Sequence, residues 1–445
     1  MKNYIPFAFL ISTAFSFAQQ KQHFKAEIDF GGGTVFSTFL DVNASGGKVK
    51  ITSPKNADVR IMGAKAKLGR AMGKSPKGGI IVTIFADRIN DSLIGNTKIP
   101  MVGALRFKGI VKGDSISGAL LNQDMAIGSV RGVKSDLNKI QYAHLYPKMM
   151  QTIARNIYSA SVLQTREWKK TSDKLRELFD EAHDDIELFL GFNILAQTLP
   201  FSHLSLAITQ DQDADETDNG PKSVVFEQKN DHTAYLQIKN FSRSTQELNE
   251  ILPSIVNNPA NRNLIIDLRK NGGGGVEAAF ALARHIVTQD TEVGYFVTNK
   301  LQYNGFEPEK FRALPAVQPK STKAFGDDLR TLPGAKLVFK KAYNPVFTGK
   351  IYVLADGGTG STCEPIVYAL KKDPRVTVIG ENTYGGMLAA SPFVVSGKYT
   401  LMIPIADFYT ADGVRLDRVG VAPDIEVKSE DALAKAIELI NNENK

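Results

Sequence analysis

A single cysteine, Cys363, occurs in the 445 residues. One thiol excludes an intramolecular disulfide and any cysteine-based metal cluster. Long apolar runs are equally scarce. Pro6 to Phe17 falls short of the ~20 residues that a membrane span takes. Preceded by Lys2 and followed by Ser16-Phe17-Ala18, it reads as a secretory signal. The expectation is removal of residues 1–18, with Gln19 as the first mature residue. No cysteine follows to carry a lipid anchor, and no later stretch reads as a transmembrane segment. The mature chain is therefore expected to be soluble, in the periplasm or secreted. Clustered charge of one sign is missing too. The formal charge is +7, but Lys and Arg are scattered apart from pairs such as Lys169-Lys170, Lys340-Lys341 and Lys371-Lys372. A nucleic-acid partner needs a basic stripe, so none is expected. The acidic residues lack metal-ligand spacing, and neither metal nor organic cofactor is called for.

What is present divides into three textures after the signal. Residues 19–145 carry short β-prone runs, among them Lys48–Ile51, Gly79–Ile84 and Ala104–Ile110. Gly, Asn, Asp and Ser bound each run, which predicts an antiparallel β-rich domain, a sandwich or barrel. Residues 146–231 begin with helical periodicity. Leu175, Leu178, Phe179 and Ala182 share one face, Ser172 is a candidate cap, and Leu204–Ile208 alternates as a strand. The segment closes on an acidic loop, Thr209 to Pro221. From 232 to 445 strands alternate with helices. Ala234–Ile238, Asn263–Leu268, Lys350–Leu354, Val376–Gly380 and Tyr399–Pro404 read as strands, and Gln246–Val256, Val276–Val287 and Glu364–Lys371 as helices. That rhythm predicts an α/β fold, a mainly parallel sheet with flanking helices. A helical subdomain and an N-terminal β-rich domain precede it.

Two strand–loop–helix junctions carry candidate chemistry. In Asp267-Leu268-Arg269-Lys270-Asn271-Gly272-Gly273-Gly274-Gly275, glycines leave backbone N–H groups uncovered beside a positive helix end. That suits an anion or oxyanion, although glycines also serve plain tight turns. In Asp356-Gly357-Gly358-Thr359-Gly360-Ser361-Thr362-Cys363-Glu364, a serine sits where a strand turns into a helix. The turn would expose Oγ as a nucleophile, or the serine could simply cap the helix.

Together, Asp267–Gly274, Thr359–Glu364, Gly380–Gly385 and Gly420–Ile425 resemble the ordered motifs of the tail-specific (C-terminal processing) serine protease family. The resemblance covers roughly residues 146–442 and implies a serine peptidase acting on polypeptides, with Ser361 as nucleophile. The lysine that serves as base in the processing branch is absent, because Gly385 is followed by Gly386-Met387. Similarity to the tricorn-like branch implies a different base, His203, preceded by Ser202. Asp417 stands where that branch more often has Glu. The implied relay runs Asp417, Ser202, His203, Ser361. An oxyanion hole is implied at the N–H of Gly273 or Gly274 together with that of Thr362. The missing lysine and the shorter Asp417 leave a second reading, an inactive peptide-binding protein on the same scaffold.

Overall fold

A computed structural model of the chain describes residues 20–30, 34–53, 82–99, 103–208, 222–341 and 345–443. The expected signal, the acidic loop Thr209 to Pro221 and the first residues of the run at 79–84 lie outside them. The chain forms two compact units. The first comprises Met1–Tyr142, Leu178–Gly191 and Ile208–Ala214, and the second holds the remainder.

Eight strands build the first unit: β1 (Gln20–Asp29), β2 (Val35–Ser45), β3 (Lys48–Thr52), β4 (Thr83–Ile89), β5 (Ser92–Ile99), β6 (Gly103–Lys112), β7 (Ser115–Asn122) and β8 (Met125–Lys134). Each pairs antiparallel with the next, and β1 pairs with β8 to close a barrel. Alternation decides which side chains enter it. In β6, Leu105 and Phe107 are buried, whereas Arg106 and Lys108 face out. An eight-stranded barrel has an interior that side chains can fill, and Phe24, Ile51, Phe107 and Val130 occupy it. Phe107 needs glycine around it, since a Cβ on Gly118 would stand 2.4 Å from its ring and one on Gly109 2.5 Å away.

After the barrel strands the chain forms α1 (Leu145–Asn156), α2 (Arg166–Glu181), α3 (Asp185–Ala196) and β9 (Ser205–Ile208). The bounds of the two units fall within α2 and again within α3. Ser172 lies inside α2 and caps nothing. The rest is β10 (Val224–Asn230), β11 (Thr233–Ile238), α4 (Thr245–Val256), β12 (Asn263–Asp267), α5 (Val276–Arg284), β13 (Thr291–Thr298), α6 (Pro308–Arg312), β14 (Ala316–Val317), α7 (Thr322–Thr331), β15 (Gly334–Phe339), β16 (Lys350–Ala355), α8 (Cys363–Lys371), β17 (Val376–Gly380), β18 (Ala389–Ser396), β19 (Tyr399–Thr410), β20 (Ile425–Glu426) and α9 (Ala432–Glu443).

These strands form two sheets. The first runs β10-β11-β12-β16-β17-β20, with every neighbour parallel except the edge pair β10–β11. Both its faces are covered, as parallel sheets require. Leu264, Ile266, Ile351 and Val353 enter one apolar cluster with α4, α5 and α8. The alternate residues Ile265, Tyr352 and Leu354 enter another with Ala432, Ala436 and Ile440 of α9. The second sheet runs β14-β15-β13-β19-β18, antiparallel apart from β14–β15, and β9 pairs with β19. Tyr399–Pro404, grouped in sequence with the parallel strands, belongs here and extends to Thr410. The expectation of a mainly parallel sheet thus describes one of the two sheets.

Register is what brings the two junctions together. β12 and β16 are adjacent and parallel, with Asp267 opposite Leu354. Both loops therefore leave the same sheet edge side by side, at the carboxyl ends where such sheets collect ligands.

Candidate active site

The two loops are fastened to each other by buried polar groups. The backbone N–H of Lys270 donates to Asp356 Oδ1 (2.9 Å), Thr359 Oγ1 donates to the Leu268 carbonyl (2.9 Å), and Gly360 N donates to the Asn271 carbonyl (3.0 Å). At the turn into α8, Ser361 has φ +54°. Non-glycine residues seldom hold that conformation, and it persists where surrounding structure enforces it. Here Ser361 N donates to Glu364 Oε2 (3.1 Å), and Glu364 N donates back to the Ser361 carbonyl (2.9 Å).

Glu364 is wholly buried, and besides Ser361 N it accepts from Thr383 Oγ1 (2.7 Å), Gly385 N (2.7 Å) and Gly386 N (2.8 Å). Burial raises its pKa, and those four donors oppose the rise. The carboxylate thus ties the nucleophile turn to the Gly385-Gly386 loop. Neither its role nor its partners had been read from the sequence, although it closes the Thr359–Glu364 motif.

His203 and Ser202 sit between α3 and β9, with His203 at φ +66°. β9 pairs with β19, and the chain leaving β19 turns back through Arg415 to Asp417. Arg418 closes the approach by donating from Nη2 to the carbonyls of Leu199 (3.0 Å) and Phe201 (2.6 Å). The result is a continuous row of polar contacts. Ser202 Oγ donates to Asp417 Oδ1 at 2.6 Å and lies 2.6 Å from His203 Nδ1, while His203 Nε2 lies 3.3 Å from Ser361 Oγ. A carboxylate only accepts, so the one proton on Ser202 Oγ points to Asp417. Nδ1 must then carry a proton and donate to Oγ, which leaves Nε2 with its lone pair towards Ser361. All four sequence-predicted relay residues are together.

Burial dominates the electrostatics of His203 and lowers its pKa. Arg418 adds to that, while the negative Asp417 pulls the other way. Asp417 is itself surrounded by donors: Ser202 N (3.3 Å) and Arg415 Nη2 (3.4 Å) on Oδ2, and Met387 N (3.3 Å) on Oδ1. Arg415 is shared with Asp407, whose Oδ2 lies 2.7 Å from Nε. Burial raises the Asp407 pKa against the pull of that guanidinium. Arg415 and Arg418 had not been singled out in the sequence.

The two candidate oxyanion glycines differ. Gly273 N donates to Asn271 Oδ1 (2.9 Å), so that amide is engaged. Among the described residues, the N–H groups of Gly274 and Thr362 meet no hydrogen-bond acceptor. Thr362 Oγ1 instead donates to the Gly274 carbonyl (2.7 Å) and holds the two segments in register. Gly273, at φ +101°, cannot carry a side chain because a Cβ would stand 2.7 Å from that of Ser361. Cys363 is fully buried, donates to the Asn271 carbonyl (3.3 Å), and has its thiol pKa pushed up by burial. Lys371 and Lys372 pair elsewhere, with Asp424 (3.0 Å) and Asp412 (2.7 Å). Among the described residues no group of His, Cys, Asp and Glu could hold a metal ion.

Residues 232–427 match the model described as peptidase family S41. Among curated proteins, the carboxy-terminal processing protease CtpA of Bacillus subtilis (strain 168) is 25% identical over 47% of this chain and 38% of its own length. The chloroplastic C-terminal processing peptidase of Tetradesmus obliquus is 22% identical over 44% of this chain and 35% of its own. The chain thus spans well under half the length of these curated relatives. A solved structure, a putative peptidase from Parabacteroides merdae ATCC 43184, aligns with a TM-score of 0.47 at 15% identity, covering 67% of this chain and 97% of that one. The segment that resembles peptidase family S41 contains Gly273, Gly274, Ser361, Thr362 and Asp417. Ser202 and His203 precede it.

Proposed function

We propose that this chain, carrying a family S41 peptidase domain, is an exported serine endopeptidase that hydrolyses peptide bonds in peptides or unstructured polypeptides. His203 Nε2 takes the proton of Ser361 Oγ as Oγ attacks the carbonyl carbon. The same imidazolium returns it to the leaving amine, and water then repeats the sequence on the acyl-enzyme. Ser202 passes the charge of Asp417 to Nδ1, fixing the tautomer and stabilising the imidazolium as the acidic member of a serine triad does. The tetrahedral oxyanion rests on the N–H groups of Gly274 and Thr362. Each such donor is typically worth about 3 kcal/mol at the transition state.

The observation that carries this reading is the unbroken row from Asp417 through Ser202 and His203 to Ser361, with steps of 2.6, 2.6 and 3.3 Å. The last step is long for a catalytic hydrogen bond, as is common before substrate tightens a site. Export rests on the apolar run Pro6–Phe17 behind Lys2. In this reading the missing processing-branch lysine is replaced by His203.

The test is labelling of residues 19–445 with a fluorophosphonate, beside Ser361→Ala and His203→Ala. The reading requires labelling of the parent and loss in both variants while their circular dichroism is unchanged. Labelling that survives His203→Ala assigns the base elsewhere. An unlabelled parent turns the site into a peptide-binding one.

A further inference from the structure

We infer that the apolar chamber beside Ser361 receives a large, uncharged side chain from the residue whose carbonyl is attacked; this rests on the peptidase reading above. The chamber has an empty volume of about 1040 Å³, including solvent at its mouth, and opens at His203, Ser361 and Thr362. A carbonyl seated between Ser361 Oγ and the Gly274 and Thr362 amides therefore directs its own side chain inward. Ala279 and Phe280 of α5, Phe296 of β13, Phe325 and Leu329 of α7 and Met402 of β19 supply the walls.

Among the described residues, no Asp, Glu, Lys or Arg lines the chamber. Apart from the mouth, its one side-chain hydroxyl is that of Thr322, which already donates to Glu277 Oε2 (2.9 Å) and accepts from Val276 N (3.1 Å). A charged side chain entering there would give up water without gaining a counter-ion, the costly case. A methyl group would leave most of the aromatic wall uncovered. A phenylalanine, leucine or methionine side chain would displace water from it and meet edges and faces of rings, contacts that aromatic and thioether groups favour. These walls make Phe296, Phe325 and Ala279 specificity-determining residues.

The experiment is hydrolysis of quenched peptides that differ only at one residue, taken as Phe, Trp, Leu, Met, Ala, Lys or Asp, with the cut site located by mass spectrometry. Cleavage after Phe, Leu or Met should exceed cleavage after Ala by roughly 10- to 200-fold in kcat/KM, the range that small differences in a hydrophobic pocket give. Lys and Asp should rank last. Ala279→Phe narrows the chamber and should shift preference towards Ala. Phe325→Ala, a second variant should the first not fold, widens it and should raise Trp relative to Phe. Fluorophosphonate labelling of the parent separates the possible failures. Labelling with a flat peptide profile, or with Lys or Asp preferred, overturns the chamber inference and leaves the nucleophile standing. Neither labelling nor cleavage overturns the peptidase reading and this inference with it.

Discussion

Replacing Asp417 by Asn tests the direction of the proton row while hardly changing shape. The four donors around the carboxylate set the outcome. Oδ1 accepts from Ser202 Oγ (2.6 Å) and Met387 N (3.3 Å), and Oδ2 from Ser202 N (3.3 Å) and Arg415 Nη2 (3.4 Å). An amide has one end that donates. Turned towards Oδ2's partners, that end meets two groups that can only donate. Turned towards Oδ1's partners, it meets the Met387 N–H and a hydroxyl that can rotate and accept. The second orientation leaves fewer unsatisfied groups and is favoured. Ser202 must then send its proton to His203 Nδ1, and the proton of the imidazole moves to Nε2, facing Ser361. The base is blocked by its own proton. An analogous wrong-tautomer substitution in a serine triad costs about 10,000-fold in kcat, and Asp417→Asn should approach that with KM little changed. Steady-state hydrolysis of an unstructured peptide, with circular dichroism to verify the fold, reads it directly. A variant retaining more than a tenth of the parent kcat would refute the proton row as drawn.

The pH profile follows from His203. Its neutral form is the base and its pKa lies below the ordinary 6.5, so the acid limb of fluorophosphonate labelling should have its midpoint below pH 6.5. By linkage, a depressed histidine pKa means that the unfolded chain binds the proton more readily, so stability should also fall as pH drops below about 6.5. A labelling midpoint above pH 7 would contradict the assignment. Glu364→Gln places an amide donor either against the Ser361 and Gly386 N–H groups, now on Oε2, or against the Gly385 N–H, now on Oε1. It should lower stability by about 1–3 kcal/mol in a denaturant titration and slow labelling of Ser361. Gly273→Ala forces a Cβ to 2.7 Å from Ser361 Cβ and 2.9 Å from Thr362 N, at a φ of +101°. Labelling should be nearly abolished, and an active variant would remove Gly273 from contact with the nucleophile turn.

How far the sequence could be read differs sharply between the two sheets. β12 announces itself because Asn263–Asp267 is buried throughout, and a short apolar run ending in a glycine loop has few other uses. The strand expected over Tyr399–Pro404 ends on a proline, which cannot donate to a ladder. In the structure a bulge at Ala389/Ala390 accommodates it, with Ala390 opposite Pro404 and Ala389 opposite Ala406. The strand therefore runs on to Thr410, and nothing local to Pro404 reveals a partner chosen by chain ten or more residues away. The same holds for β13 and β15, which were not read as strands and form the centre of the second sheet with β19.

At the site, what could be read was what chemistry demands of one residue, and what could not was which neighbour satisfies it. Ser361 and the glycines stand out by type and spacing, whereas His203 was marked only by the family resemblance. Glu364 is also in plain view, three residues after Ser361, yet its meaning lies in Thr383, Gly385 and Gly386, which approach it only after β17 has been laid beside β16. Choosing between Gly273 and Gly274 is an instructive middle case. Asn side chains commonly accept from the backbone N–H two residues on, and Asn271 does so with Gly273. That local rule was available in the sequence and, in the proposed mechanism, argues against Gly273 as an oxyanion donor. It leaves Gly274, whose φ of +134° and close approach to Ser242 N (2.3 Å from an added Cβ) demand glycine for a separate reason. The loop thus needs consecutive glycines for two different reasons: an added Cβ at one would meet Ser361, and at the next it would meet Ser242.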